Sequence, residues 1–89
     1  MKETSFGYIK TIQTKEIKKI NFFSFSKAGR PHKHTRGEVV FITSGSGIIH
    51  LENQTIPVQK GSLITIEPNK SHYMVPDEGE CLELILWYE

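Results

Sequence analysis

The sequence predicts an all-β domain of eight short strands, closed into a small barrel or a two-sheet roll. Three observations predict it. β-type apolar runs recur along the 89 residues, Gly, Pro, Asn and Asp fall between them at short intervals, and no segment shows a convincing helical period. So many short strands leave edges that closure conceals.

Taken in order, Met1 to Glu16 is ambiguous, because Tyr8, Ile9, Ile12 and Ile17 fit either an interrupted strand or one short helix. We read residues 1–16 as an N-terminal strand or arm and 17–88 as the barrel of a single domain spanning 1–89. The strands expected are Ile17 to Ser26, His32 to His34, Glu38 to Thr43, Gly47 to Glu52, Thr55 to Val58, Ser62 to Ile66, Ser71 to Val75 and Cys81 to Tyr88. The intervening segments, such as Lys27-Ala28-Gly29-Arg30-Pro31 and Glu67-Pro68-Asn69-Lys70, hold residues suited to turns. The last run, Leu82 to Tyr88, is apolar on both faces. That pattern predicts a strand covered on one side by the barrel interior and on the other by a second subunit, hence a homodimer.

Composition narrows the class further. A chain this short is marginal without a metal, a partner subunit or disulfides. Its single cysteine, Cys81, cannot form an internal disulfide, the start MKETSFGYIK lacks an apolar run, and no stretch approaches the ~20 apolar residues of a membrane span. The expected location is therefore cytoplasmic, with no membrane partner. Residues 1–36 hold nine Lys/Arg and two acids, and residues 37–89 hold two Lys and eight acids, giving halves of +7 and −6. The cations are scattered rather than clustered, so the halves are expected to attract each other and no nucleic-acid partner is predicted.

The chemistry lies in the histidines. His32 and His34 are two residues apart in an extended segment, so both imidazoles project from one face. If the turn at Thr35-Arg36-Gly37 preserves parity, Glu38 returns to that face. His72, opening a strand after the Glu67-Pro68-Asn69 turn, is the best candidate for a fourth ligand. Such polar side chains on the interior of a small barrel would cost several kcal/mol unless something satisfied them. A divalent transition metal does so; imidazole with carboxylate suits Fe, Mn, Zn, Ni or Cu without choosing among them. Met74 shares the face of His72, and Val40 and Ile42 share the parity of Glu38, so these three are expected to line an apolar substrate pocket. His50 is expected on the solvent side or behind the ligands. Lys33 and Arg36 should face away, with Arg36 able to meet an anionic substrate at the mouth. The aromatics Tyr8, Phe22, Phe23, Phe25, Tyr73, Trp87 and Tyr88 are read as core or dimer contacts.

These residues also carry a resemblance. Pro31-His32-Lys33-His34-Thr35-Arg36-Gly37-Glu38, six further residues and Gly45 resemble the first cupin motif, His-x-His-x3-Glu-x6-Gly. Gly61, five residues, Glu67-Pro68-Asn69, two more residues and His72 resemble the second, Gly-x5-Pro-x-Gly-x2-His-x3-Asn. Here Glu67 stands at the Pro position, Asn69 replaces Gly and Pro76 replaces the final Asn. Asn69 can adopt the left-handed backbone that the family's Gly supplies. The resemblance implies the cupin-type double-stranded β-helix, a jelly-roll barrel, and assigns His32, His34, Glu38 and His72 as metal ligands. It implies dioxygenase, isomerase or lyase chemistry on a small organic substrate, or else a non-catalytic module that binds or senses a sugar or carboxylate. A third expectation is a purely structural metal that ties strands together.

Overall fold

The computed structural model describes residues 2–13 and 19–89. Met1 and residues 14–18, which include the start of the expected Ile17 to Ser26 strand, lie outside them. The strands are β1 (Lys2–Glu3), β2 (Gly7–Ile12), β3 (Ile20–Phe25), β4 (Glu38–Ser44), β5 (Ser46–Leu51), β6 (Gln54–Gln59), β7 (Leu63–Ile66), β8 (His72–Pro76) and β9 (Leu82–Tyr88). Among the described residues there is no helix, and thus none long and apolar enough to cross a membrane. The described part of the ambiguous N-terminal stretch, residues 2–13, forms two strands. Thr4 Oγ1 accepts from the Phe6 and Gly7 amides and so closes the turn that pairs β1 with β2.

Two antiparallel sheets face each other. The larger has the order β1-β2-β3-β9-β4-β7 and the smaller β6-β5-β8. Their inner faces follow from strict alternation: Val40 and Ile42 of β4 and Leu82, Leu84 and Leu86 of β9 point inward and are buried. Ile49, Val58 and Met74 of the small sheet meet them, and Phe25 and Ile66 complete the core. Glu38 shares this inward face.

The chain passes from the large sheet to the small one at Gly45. A register shift between Ile42 and Ser44 bends β4, and Gly45 has φ +81 with the site of a Cβ occupied by the carbonyl of Cys81. Only glycine fits both constraints.

The segment expected as a His32 to His34 strand is not a strand. It is an irregular strip tacked to the free edge of β8 by Gly29 N–Met74 O (2.8 Å) and a paired bridge, His32 N–His72 O (3.0 Å) and His72 N–His32 O (2.8 Å). Three residues on the strip match two on β8, and Pro31 has no amide to donate, so a regular ladder cannot form.

Candidate metal centre

Backbone pairing positions the site. The bridge sets His32 directly beside His72, and the Asn69 amide donates to the His34 carbonyl (2.6 Å), fixing the end of the strip. Asn69 holds φ +63, the left-handed conformation its position requires. Glu38 opens β4 between Ile66 of β7 and Tyr88 of β9. It therefore enters the barrel at the level of the strip.

His32, His34, Glu38 and His72 each present one ligand atom, and these atoms lie within 4.8 Å of one another. The imidazoles meet at angles, His32 against His72 at 61° with centroids 4.3 Å apart, and His32 against His34 at 71° and 4.9 Å. Glu38 and His72 are each 1% exposed. His34 is partly open, and His32 is exposed.

Two tethers define how the rings face. His32 Nδ1 donates to the Arg30 carbonyl and His72 Nδ1 to the Lys70 carbonyl, both at 2.8 Å and both two residues back. With the proton on Nδ1, each Nε2 keeps its lone pair. Glu38 Oε2 lies 2.7 Å from His72 Nε2 and 3.7 Å from His34 Nε2. The closer contact is not aligned as a hydrogen bond, so His72 Nε2 and both Glu38 oxygens are buried without a hydrogen-bond partner. Buried lone pairs that converge without a donor are costly, and a cation satisfies them all. The donor set thus fits a transition metal.

Electrostatics divide the histidines. Burial opposes charge on His72, but the Glu38 contact and the Lys70 carbonyl outweigh it, and its pKa is raised above 6.5. Burial lowers that of His34, with Glu38 opposing and the other two histidines reinforcing the drop.

Tyr88, expected from the sequence as a core or dimer aromatic, stands at the cluster. Its hydroxyl stands 3.4 Å from His34 Nε2, its ring meets His34 edge-on, and burial together with Glu38 raises its pKa. The signal was available: Tyr88 continues the inward parity of Leu82, Leu84 and Leu86 on β9. Arg36 packs its guanidinium 6.0 Å over the Tyr88 ring and donates from Nε to the Glu89 carbonyl (2.9 Å).

The other expected site residues lie in different places. Val40 and Ile42 are fully buried in the core, whereas Met74 lines a cavity together with His32. His50 stacks on Tyr73 across β5 and β8, at 4.5 Å and 16°. Lys33 is exposed, and Cys81 is an exposed free thiol.

Comparison with known proteins is consistent with this geometry. No curated protein is significantly similar to the chain. Among solved structures, a cupin-2 domain protein from Shewanella frigidimarina matches with TM-score 0.79 at 20% identity, over 97% of this chain and 84% of that one. A predicted oxalate decarboxylase from Thermotoga maritima matches with TM-score 0.76 at 19% identity, over 88% and 75%. A cupin protein from Bacteroides fragilis matches with TM-score 0.71 at 18% identity, over 76% of this chain but only 61% of its own length. At such identities the likeness is one of fold. The family model for the cupin domain matches residues 23–88, which hold both sheets' core strands and all four clustered side chains, and the chain belongs to the cupin-domain family.

Proposed function

We propose that the chain binds one divalent transition metal through His32, His34, Glu38 and His72 and acts as a metal-dependent enzyme on a small organic substrate. The reading is carried by one observation: the Glu38 carboxylate and His72 Nε2 are buried without hydrogen-bond partners and converge with two more imidazoles within 4.8 Å. When bound, Fe, Mn, Zn, Ni or Cu supplies Lewis-acid polarisation of a substrate oxygen, or redox chemistry, of the kind used by dioxygenases, isomerases and lyases. The chain's own part is to hold three imidazoles and a carboxylate in place. The Arg30 and Lys70 carbonyls orient two of the rings, and Tyr88 brings a protic group beside His34. The name of the Thermotoga maritima neighbour supports trying carboxylates as substrates.

A second reading, a module that binds a sugar or carboxylate without turning it over, is favoured by one feature. No carboxylate, lysine or cysteine is among the described residues lining the cavity beside His32. Elemental analysis and cobalt titration test the shared part: one metal per chain is expected, with loss of the cobalt visible bands in His72→Ala and Glu38→Gln. A protein that stays metal-free after loading with each of these ions ends both readings. Product formation from a bound carboxylate separates them.

A homodimer is part of the same proposal. The outward row Phe22–Ile85–Phe41–Leu63 runs across four strands of the large sheet, and Leu63 is 62% exposed. A second copy would cover it. Light scattering should give twice the chain mass, falling to one chain in Leu63→Lys. The exposed thiol of Cys81 suits the reducing cytoplasm.

A further inference from the structure

The cavity that shares His32 with the cluster measures about 490 Å³. That size suits a molecule much larger than a two-carbon diacid. Three phenylalanines bank against one another on its large-sheet side: Phe6 and Phe25 stack at 4.5 Å and 20°, and Phe23 and Phe25 at 5.7 Å and 9°. Phe6 and Phe23 are only partly buried, so the stack is not closed within the core. Met74 of β8 lines the cavity too, and sulfur is a favourable neighbour for a ring.

The electrostatics of the cavity are one-sided. Arg30 is the one residue of fixed charge among the described residues that line it. It belongs to the segment 27–37, whose charged residues Lys27, Arg30, Lys33 and Arg36 are all cations and all exposed. An apolar, aromatic floor with one fixed cation, Arg30, at its edge selects a planar anion.

We propose that this cavity takes a small aromatic carboxylate, with its ring against Phe6, Phe23 and Phe25 and its anionic group at the Arg30 and His32 end. The ligand class rests on the cavity itself. The orientation of the carboxylate toward the cluster rests on the metal-centre reading given above. Oxalate, an anion without a ring, leaves the phenylalanines without a partner, and benzylamine, a ring with a cation, meets the wrong charge.

The test uses the full chain loaded with zinc, titrated with phenylacetate, oxalate and benzylamine and followed by calorimetry and by amide chemical shifts. Phenylacetate should bind about tenfold or more tightly than either of the others, as one charge-assisted contact plus ring burial implies. Its shifts should centre on Phe6, Phe23, Phe25 and Gly29. Arg30→Gln should weaken phenylacetate about tenfold. That variant keeps the Arg30 carbonyl that tethers His32. Phe6→Leu, in a partly buried loop position, should weaken phenylacetate and leave oxalate unchanged, and a retained fold is read from its spectrum. Oxalate or benzylamine binding as tightly as phenylacetate, or shifts centred instead on the cavity around Leu51, Thr65 and Glu67, would overturn the proposal. A parallel cobalt titration separates the two levels. Cobalt bound without any preference for phenylacetate sinks the ligand class and leaves the metal centre standing. Phenylacetate held in the cavity of a protein that binds no cobalt supports the ligand class and overturns the metal centre.

Discussion

Glu38 buries its carboxylate 2.7 Å from the imidazole of His72, with no hydrogen-bond donor to either oxygen among the described residues. Burying a charged group costs several kcal/mol before compensation, and the fold carries that cost at a position where the alternation of β4 would otherwise place an aliphatic residue. Glu38→Leu should abolish metal binding and, below about pH 6.5, destabilise the metal-free protein, because it leaves the buried, charged His72 without its partner. Urea denaturation at about pH 6, with and without metal, checks both parts, and a Glu38→Leu protein more stable than the metal-free wild type would contradict the account. His72→Ala should lower cobalt affinity by more than about 100-fold, beyond the loss usual for an outer partner. Tyr88→Phe should keep one metal per chain, because the phenol stands beside His34 without belonging to the cluster. Elemental analysis of the two variants distinguishes a ligand from a neighbour.

At the scale of elements, the pattern of alternation made most of the strands legible. Glu38 to Thr43, Gly47 to Glu52, Thr55 to Val58 and Ser62 to Ile66 each fall within a residue or two of β4, β5, β6 and β7. The strip around His32 was less legible because its backbone partners lie forty residues away on β8, and a bulge beside a proline erases the period-2 signal. The crossing at Gly45 gives an element-level prediction. Gly45→Ala should cost about 1–3 kcal/mol, since its φ is positive and its missing Cβ makes room for the Cys81 carbonyl. Gly61→Ala, at φ +93 but facing open space, should cost about 1 kcal/mol. Equal losses in the two variants, measured by chemical denaturation, would show that the close approach is unimportant.

At the scale of the whole molecule, the metal and the proton compete for the same lone pairs. The raised His72 takes up its proton as pH falls toward and past its ordinary 6.5, so metal affinity should begin to drop above that pH. The lowered His34 keeps its lone pair further into acid. In the metal-free protein the sign reverses. The charged His72 beside Glu38 contributes stability that is fully present below 6.5 and is lost as pH rises through the raised value. The melting-temperature gain on adding zinc should therefore shrink from about pH 8 to about pH 5.5, which a pair of thermal scans measures. A gain that stays constant across that range would contradict the proposed ligand set.

The chain alone determined most of the strands, the turn positions between them and three of the four candidate ligands, because alternation, turn residues and the spacing of His32, His34 and Glu38 are local quantities, while His72 followed from its place after the Glu67-Pro68-Asn69 turn. Tertiary structure decided what surrounds them. It set Tyr88 against His34, buried Val40 and Ile42 in the core, and gathered Phe6, Phe23 and Phe25 beside His32. Those outcomes depend on which strands become neighbours in the sheets, and pairings between residues far apart in sequence leave no trace in local periodicity.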